Sequence, residues 1–346
     1  MDVLGRDSGE DGDGVHGRFG RYLAADQSLG ARVDVDFAGP YAGIVVGKRG
    51  SGKSYTLGVL AEGLAETTGV APVVVDPMGA FGGLAAAGVP VVEPRVQASA
   101  LPPRAWCELL DLDPAGFAGT LVWRAATEAK TLDAMRAWVA DADATAAARR
   151  AAANHLELAD SWGCFAPDAP TPMDLLADGA VLDGTGLETT ALQAVVAAGR
   201  YRAAVDRAGN LPWLLIDESH ACASGAAAAA VDTLYTRGRA PGASVVLATQ
   251  RPSALPETAI SQSDLVVVHR LTSQRDVDAL AAMRPTYLSG GVGAKLPSRT
   301  GDALVVDDAT ETMCAVRIRE RWTEHGGWES RGRVKRTASR GNVYAG

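Results

Sequence analysis

Eight consecutive residues near the start of the chain have the types and spacing needed to hold a polyphosphate. They are Gly47-Lys48-Arg49-Gly50-Ser51-Gly52-Lys53-Ser54, which fit the pattern GxxxxGK[ST] between an apolar strand and a helix. Glycines let successive backbone N–H groups and the helix N-terminus face the phosphates. Lys53 would supply a cation to the β- and γ-phosphates of ATP, and Ser54 a hydroxyl ligand to Mg²⁺. The segment is therefore predicted to be a phosphate loop.

A second group of residues provides carboxylates for metal binding and proton transfer. The apolar strand Leu214-Leu215-Ile216 ends in Asp217-Glu218. At the carboxyl edge of a parallel sheet, beside the phosphate loop, Asp217 is placed to hold Mg²⁺ and Glu218 to polarise a water molecule. This adjacent acidic pair predicts hydrolysis of the nucleotide.

A third strand, Ser244 to Ala248, leads through Thr249 to the amide Gln250. Its side chain could hydrogen-bond the γ-phosphate or the attacking water and report the nucleotide state to neighbouring loops. Because Gln250 follows a strand as the phosphate loop and the acidic pair do, it is predicted to be part of the catalytic group.

These motifs together resemble the HerA group of the HerA/FtsK P-loop ATPases. The similarity rests on the phosphate loop continued through Tyr55, on Asp217-Glu218-Ser219-His220, on Gly238-Arg239, and on Ala248 to Ser253 with Val268 to Leu271. It extends over roughly residues 38 to 328, to the late segment Thr323 to Gly327. The resemblance implies a RecA-like core in a hexameric ring, with ATP between subunits, double-stranded DNA in the pore and a nuclease partner. It assigns Lys53 and Ser54 to phosphate and Mg²⁺, Asp217 to the metal, Glu218 to the base and Gln250 to γ-phosphate sensing.

The sequence departs from the family pattern in three places. The N-terminal β-barrel domain typical of HerA has no room before Val33. In the turn after the second core strand, Ala80 replaces the family's glutamate, so that acidic role is missing. Ser219 replaces the usual alanine after the acidic pair, a small change that we expect to be tolerated.

A ring ATPase also needs a cation that reaches the γ-phosphate from the next subunit, because a guanidinium neutralises transition-state charge well. The sequence offers Arg237, Arg239, Arg251 and Arg270 for this role. Arg239 is the preferred candidate.

Composition narrows the remaining classes of function. The 346 residues carry 33 Lys+Arg against 41 Asp+Glu, a formal net charge of -8, which argues against nucleic-acid binding over the whole surface. The four cysteines are too widely spaced to form a zinc site. No apolar stretch is long enough to span a membrane and no export signal is present, so a cytoplasmic protein is expected.

Apolar strands that alternate with amphipathic helices predict an α/β fold, with a mainly parallel central sheet covered by helices on both faces. Residues 1–32 are predicted to be a flexible acidic leader and residues 33–320 a RecA-like ATPase core. An alanine-rich helical insertion is expected at about 110–165. Residues 321–346 are predicted to be a basic C-terminal arm that contacts DNA, lies on a neighbouring subunit or is simply solvated.

The residues point to a Mg²⁺-dependent ATPase that converts hydrolysis into movement along DNA. Two alternatives remain at this stage. One is a P-loop phosphotransferase that acts on a small molecule. The other is a nucleotide-gated assembly, conjugation or packaging scaffold without processive motion.

Overall fold

The computed structural model describes residues 2–6, 15–170, 179–199, 210–238, 242–282 and 295–326. The described strands form one 12-stranded sheet in the order β1-β3-β2-β12-β11-β10-β4-β9-β8-β5-β7-β6. Their bounds are β1 Asp2–Leu4, β2 His16–Leu23, β3 Leu29–Asp36, β4 Ala42–Val46, β5 Val70–Asp76, β6 Val91–Val92, β7 Ala180–Asp183, β8 Leu211–Ile216, β9 Ser244–Thr249, β10 Leu265–Val268, β11 Asp302–Asp307 and β12 Thr312–Ile318.

The seven strands from β10 to β6 run parallel to their neighbours and form the core of the sheet. Strand β4 is buried along its whole length, and its successive side chains enter two different hydrophobic clusters. Ile44 and Val46 belong to one cluster and Val45 to the other. Because side chains alternate across a strand, apolar layers cover both faces of the sheet. The predicted α/β fold with a mainly parallel central sheet is confirmed.

Nine α-helices surround the sheet in the described part of the chain. They are α1 Lys53–Ala65, α2 Pro103–Leu109, α3 Phe117–Glu128, α4 Leu132–Asp141, α5 Ala146–Ser161, α6 Thr189–Ala198, α7 Gly225–Arg237, α8 Glu257–Ser261 and α9 Gln274–Ala282. None of the helices in these ranges combines the length and the apolar character needed to cross a lipid bilayer.

The predicted helical insertion is present between β6 and β7. It comprises α2 to α5 and begins somewhat earlier than residue 110, at Pro103. Val122, Met135 and Leu156 are fully buried between its helices and join the same hydrophobic cluster as one face of the sheet. The insertion is therefore packed on the core.

The prediction of a flexible leader over residues 1–32 is wrong for most of that segment. Strand β2 pairs antiparallel with both β3 and β12, and β1 pairs with β3. Phe19 is fully buried, and Arg32 holds the buried carboxylate of Asp34 through two hydrogen bonds of 2.6 and 2.7 Å. Glycine and aspartate disfavour strands on average, but pairing with β12 and burial override that preference here. Residues 7–14 of the predicted leader lie outside the described residues.

The prediction of a tail that begins at 321 also needs correction. The side chain of Arg321 is only 1% exposed and lies against Glu62 of α1, and the backbone of Gly326 donates to Ala80 O at 3.2 Å. An ion pair inside the fold holds this segment in place, whereas the sequence shows only a run of basic residues. Residues 327–346, where the rest of the predicted arm falls, are outside the described part.

Candidate functional site

The predicted phosphate loop connects the end of β4 to the start of α1, at the carboxyl edge of the parallel strands. Backbone hydrogen bonds fix it to both neighbouring strands. On one side Gly47 N donates to Thr249 O at 3.3 Å, and on the other Lys48 N donates to Arg270 O at 2.8 Å. The loop is therefore positioned by the ends of β9 and β10.

Three glycines give the loop a backbone that other residues would not adopt. Gly50 has a φ of 70° and Gly52 a φ of 120°, both in the region that favours glycine. A Cβ atom added to Gly47 would lie 2.4 Å from Ser51 Oγ and 2.6 Å from His269 Cβ. The spacing of glycines in the motif thus has a steric cause.

Polar groups at the loop have less internal pairing than their burial would require. Lys53 is 5% exposed, and its Nζ makes one long hydrogen bond, 3.4 Å, to Lys48 O. Burial lowers the pKa of Lys53, while the nearby carboxylates of Glu218 and Asp217 oppose that shift. Ser51 Oγ is buried and finds no hydrogen-bond partner among the residues that the structure describes. A polyphosphate would satisfy both groups, so the loop fits ATP.

Ser54 and Asp217 meet as the predicted metal site requires. Ser54 Oγ donates to Asp217 Oδ2 at 2.7 Å, and the backbone of Glu218 donates to Asp217 Oδ1 at 3.0 Å. Asp217 is 1% exposed, and burial raises its pKa to about 6. A hydroxyl and a carboxylate at hydrogen-bond distance are oxygen donors that suit Mg²⁺, so these two residues fit the ion.

Glu218 is held in an unusual backbone conformation directly after β8. Its φ of 46° and ψ of 42° lie in the left-handed region, which costs free energy for a residue with a side chain. Gln250 Nε2 donates to Glu218 Oε2 at 3.3 Å, and His220 Nδ1 lies 3.3 Å from the same oxygen. The structure therefore brings together the acidic residue and the amide that are 32 positions apart in the sequence.

His269 lies beneath the phosphate loop and has a fixed tautomer. Its Nδ1 is 2.9 Å from Asp302 O, which can only accept, so this nitrogen carries the proton. Nε2 then accepts from Thr56 Oγ1 at 2.8 Å. Burial lowers the pKa of His269 to about 4. The imidazole is neutral and supports the loop by packing.

The side chain of Tyr55 contacts the segment that follows β12. Its hydroxyl accepts a 2.6 Å hydrogen bond from Arg321 N, and its ring meets His325 edge to face at 5.9 Å. This contact joins the first turn of α1 to the segment after β12.

Sequence reasoning missed the charged cluster that holds this segment. Glu62 in α1 is fully buried and accepts hydrogen bonds from Arg319 and from both the backbone and the hydroxyl of Thr323. Arg321 Nε lies 3.5 Å from the same carboxylate. The available signal was a glutamate in the middle of an otherwise apolar helix, since such a residue needs a partner when buried.

The candidate arginines occupy different places. Arg237 and Arg251 are exposed, whereas Arg270 is half-buried next to the phosphate loop. The preferred candidate, Arg239, lies outside the described residues. In the loop itself, Lys48 is half-buried and Arg49 exposed.

Comparison with known proteins gives one matching sequence profile and several solved structures with a similar fold. A sequence profile described as helicase HerA, central domain, matches residues 31–151. No curated protein sequence matches the chain. Among solved structures, VirB4 of Thermoanaerobacter pseudethanolicus matches with a TM-score of 0.67 and 14% identity, over 90% of this chain and 97% of that one. The DNA-packaging ATPase B204 from Sulfolobus turreted icosahedral virus matches with a TM-score of 0.45 and 13% identity, over 80% of this chain and 98% of that one. The fold is that of the RecA-like P-loop ATPases.

Proposed function

We propose that this chain is a HerA/FtsK-type P-loop ATPase, a Mg²⁺-dependent ATP hydrolase that drives movement along double-stranded DNA; the profile match over residues 31–151 and the shared fold support this. The observation that supports hydrolysis most directly is the contact between Ser54 and Asp217, with Glu218 beside it. The residues proposed to bind the nucleotide and those proposed to hydrolyse it thus lie at the same edge of the sheet.

Hydrolysis needs a base that takes a proton from the attacking water. Glu218 can act in this way because its carboxylate is partly exposed at the sheet edge and is oriented by Gln250. Gln250 also links the end of β9 to the base, so a change at the γ-phosphate can reach the segment that follows β9. This link favours water over a second substrate as the phosphoryl acceptor.

Lys53 and Ser51 would hold the phosphates, and Ser54 with Asp217 would hold the metal ion. Mg²⁺ bound there would neutralise charge on the phosphate oxygens. Burial of Lys53 strengthens its attraction for the phosphates, because the local dielectric is lower than that of water.

Coupling to DNA and assembly into a hexameric ring are part of the proposal. The profile match to the helicase HerA central domain supports both. The net charge of -8 restricts DNA contact to a local surface, such as a pore lined by a few loops, and this agrees with binding inside a ring.

The test measures phosphate release with Mg²⁺ and ATP, with and without duplex DNA, together with the molecular mass in solution. We expect turnover that duplex DNA stimulates and a mass near six chains when nucleotide is bound. Lys53→Ala serves as the inactive control. Rings that hydrolyse ATP but do not displace a roadblock on duplex DNA would contradict translocation and favour a nucleotide-gated scaffold. Turnover of wild-type strength in Lys53→Ala would contradict the assigned site.

A further inference from the structure

An arginine lies on the flank of the phosphate loop opposite the hydrolytic residues. Strand β4, which leads into the loop, pairs with β9 on one side and with β10 on the other. Gln250 follows β9, and Arg270 follows β10 by two residues. The hydrogen bond from Lys48 N to Arg270 O, 2.8 Å long, joins the arginine directly to the loop.

The side chain of Arg270 is held within its own subunit. Its NH1 donates to Ser298 O at 3.2 Å. The same loop returns to the phosphate loop three residues later, where Gly301 N donates to Ser51 O at 3.4 Å. A guanidinium bonded to a segment that itself contacts the phosphate loop is poorly placed to extend into a neighbouring subunit.

Part of this guanidinium has no internal partner. Arg270 Nε is buried without a hydrogen bond, and no carboxylate in the described ranges forms an ion pair with the residue. Arg317, in β12, shows the contrast, because it donates to both oxygens of Asp302 at 2.6 and 3.0 Å. A buried N–H without an acceptor costs free energy, which a ligand oxygen would recover.

We propose that Arg270 binds the α-phosphate of the nucleotide in its own subunit, an inference that rests on the proposed ATPase function. Hydrolysis requires the γ-phosphate to lie at Glu218 and Gln250, on the β8 and β9 side of the loop. The phosphate chain then extends away from them, so that its α-phosphate lies on the β10 side. An always-charged guanidinium forms strong hydrogen bonds to phosphate oxygens.

The experiment compares Arg270→Ala, Arg270→Lys and the control Arg299→Ala, which removes an exposed arginine from the same loop. ADP is the probe because it contains the α-phosphate and lacks the γ-phosphate. We expect Arg270→Ala to weaken ADP binding in the presence of Mg²⁺ by about 10- to 100-fold, from the loss of a charge-assisted hydrogen bond. KM for ATP should rise by a similar factor, with kcat at saturating ATP within about 3-fold of wild type. Arg270→Lys should recover part of the affinity, and Arg299→Ala should bind ADP like wild type.

Three results would overturn the inference. Unchanged ADP affinity with a large loss of kcat in Arg270→Ala would assign the arginine to the γ-phosphate or to a neighbouring site. Equal ADP affinity in Arg270→Ala and Arg299→Ala would show that Arg270 does not contact the nucleotide. Arg270→Lys as weak as Arg270→Ala, with both variants melting well below wild type, would show a purely structural role. Wild-type protein that binds no ADP would instead overturn the ATPase proposal itself, so the two failures can be told apart.

Discussion

Buried charged groups are paired differently in two parts of the sheet: the outer strands β1, β3, β2, β12 and β11, and the parallel strands from β10 to β6. In the outer, mostly antiparallel part, the buried carboxylates of the strands have hydrogen-bond partners within the chain. Asp302 receives two hydrogen bonds from Arg317, and Asp34 receives two from Arg32. In each pair the arginine and the carboxylate satisfy each other's hydrogen bonds, so neither depends on a ligand.

At the carboxyl edge of the parallel part, three polar side chains beside the phosphate loop are only partly satisfied. Lys53 is nearly buried but makes one long hydrogen bond, and Ser51 Oγ and Arg270 Nε have none among the described residues. Glu218 occupies a strained backbone conformation. Local instability of this kind concentrates at functional sites, where a ligand completes the interactions.

The difference separates charges that hold the fold from charges that serve a ligand. A substitution in the first group should change the free energy of unfolding, and one in the second group should change nucleotide chemistry.

The largest effect is expected for Glu218→Gln. The amide cannot accept the proton from water, so kcat should fall by about 10²- to 10⁴-fold while ATP still binds. Phosphate release and equilibrium binding of ATP measure the two properties. Asp183→Asn is the matched control, because Asp183 is an exposed carboxylate at the end of a parallel strand outside the site. A similar loss of kcat in Asp183→Asn would show that removing any carboxylate from this edge of the sheet lowers kcat, and would contradict a specific role for Glu218 as the base.

Glu62→Gln should cost about 3–5 kcal/mol of unfolding free energy, because it leaves Arg319 and Arg321 beside a neutral partner in a buried position. Denaturant unfolding measures the change. Glu66→Gln, one turn later and exposed, should stay within about 0.5 kcal/mol of wild type. If both variants unfold alike, the buried cluster contributes nothing beyond an ordinary surface glutamate.

Acidification should destabilise the fold through His269. Its pKa of about 4 in the folded protein is below the ordinary value of 6.5, so the unfolded state binds the proton first as the pH falls. Stability is fully present above pH 6.5 and is lost progressively toward pH 4, by about 3 kcal/mol from this one group. The slope of unfolding free energy against pH should become shallower in His269→Gln and stay unchanged in His155→Gln. An unaltered slope in His269→Gln would refute the assignment.

The smallest change in stability is expected for Lys53→Met. Burial lowers the pKa of Lys53, so its charge costs stability in the absence of nucleotide. Methionine keeps the apolar stem without the charge, and the free energy of unfolding should rise by about 1 kcal/mol even though hydrolysis is lost. Thermal unfolding without nucleotide measures this gain. A decrease in stability would place Lys53 among the residues that hold the fold.

Much of the central fold could be predicted from the chain. The core strands are continuous apolar runs between helical segments, and their ends carry the residues of the site, as with Asp217 after β8 and Gln250 after β9. These strands can be recognised in the sequence because both faces of the parallel sheet are covered, so that most side chains of a core strand are apolar. The phosphate loop is even more local, since its glycines meet a backbone requirement within eight residues.

The outer strands could not be predicted in the same way. Strands β2 and β3 are rich in glycine and charged residues. They pair with each other, and β2 joins the rest of the sheet by pairing with β12 at the far end of the chain. The contact between Glu62 and Arg321 also spans most of the chain. The spacing and periodicity of residues in the sequence do not indicate that β2 pairs with β12 or that Glu62 contacts Arg321.

The order of amino acids alone therefore determined the loop that can hold phosphate, the acidic pair and the parallel core, because each depends on neighbours close in the chain. Only the folded molecule decided which charges are paired with one another and which are left for a ligand. Pairing depends on distance in space: the side chain of Arg317 lies against the carboxylate of Asp302, whereas Arg270 Nε has no partner among the described residues.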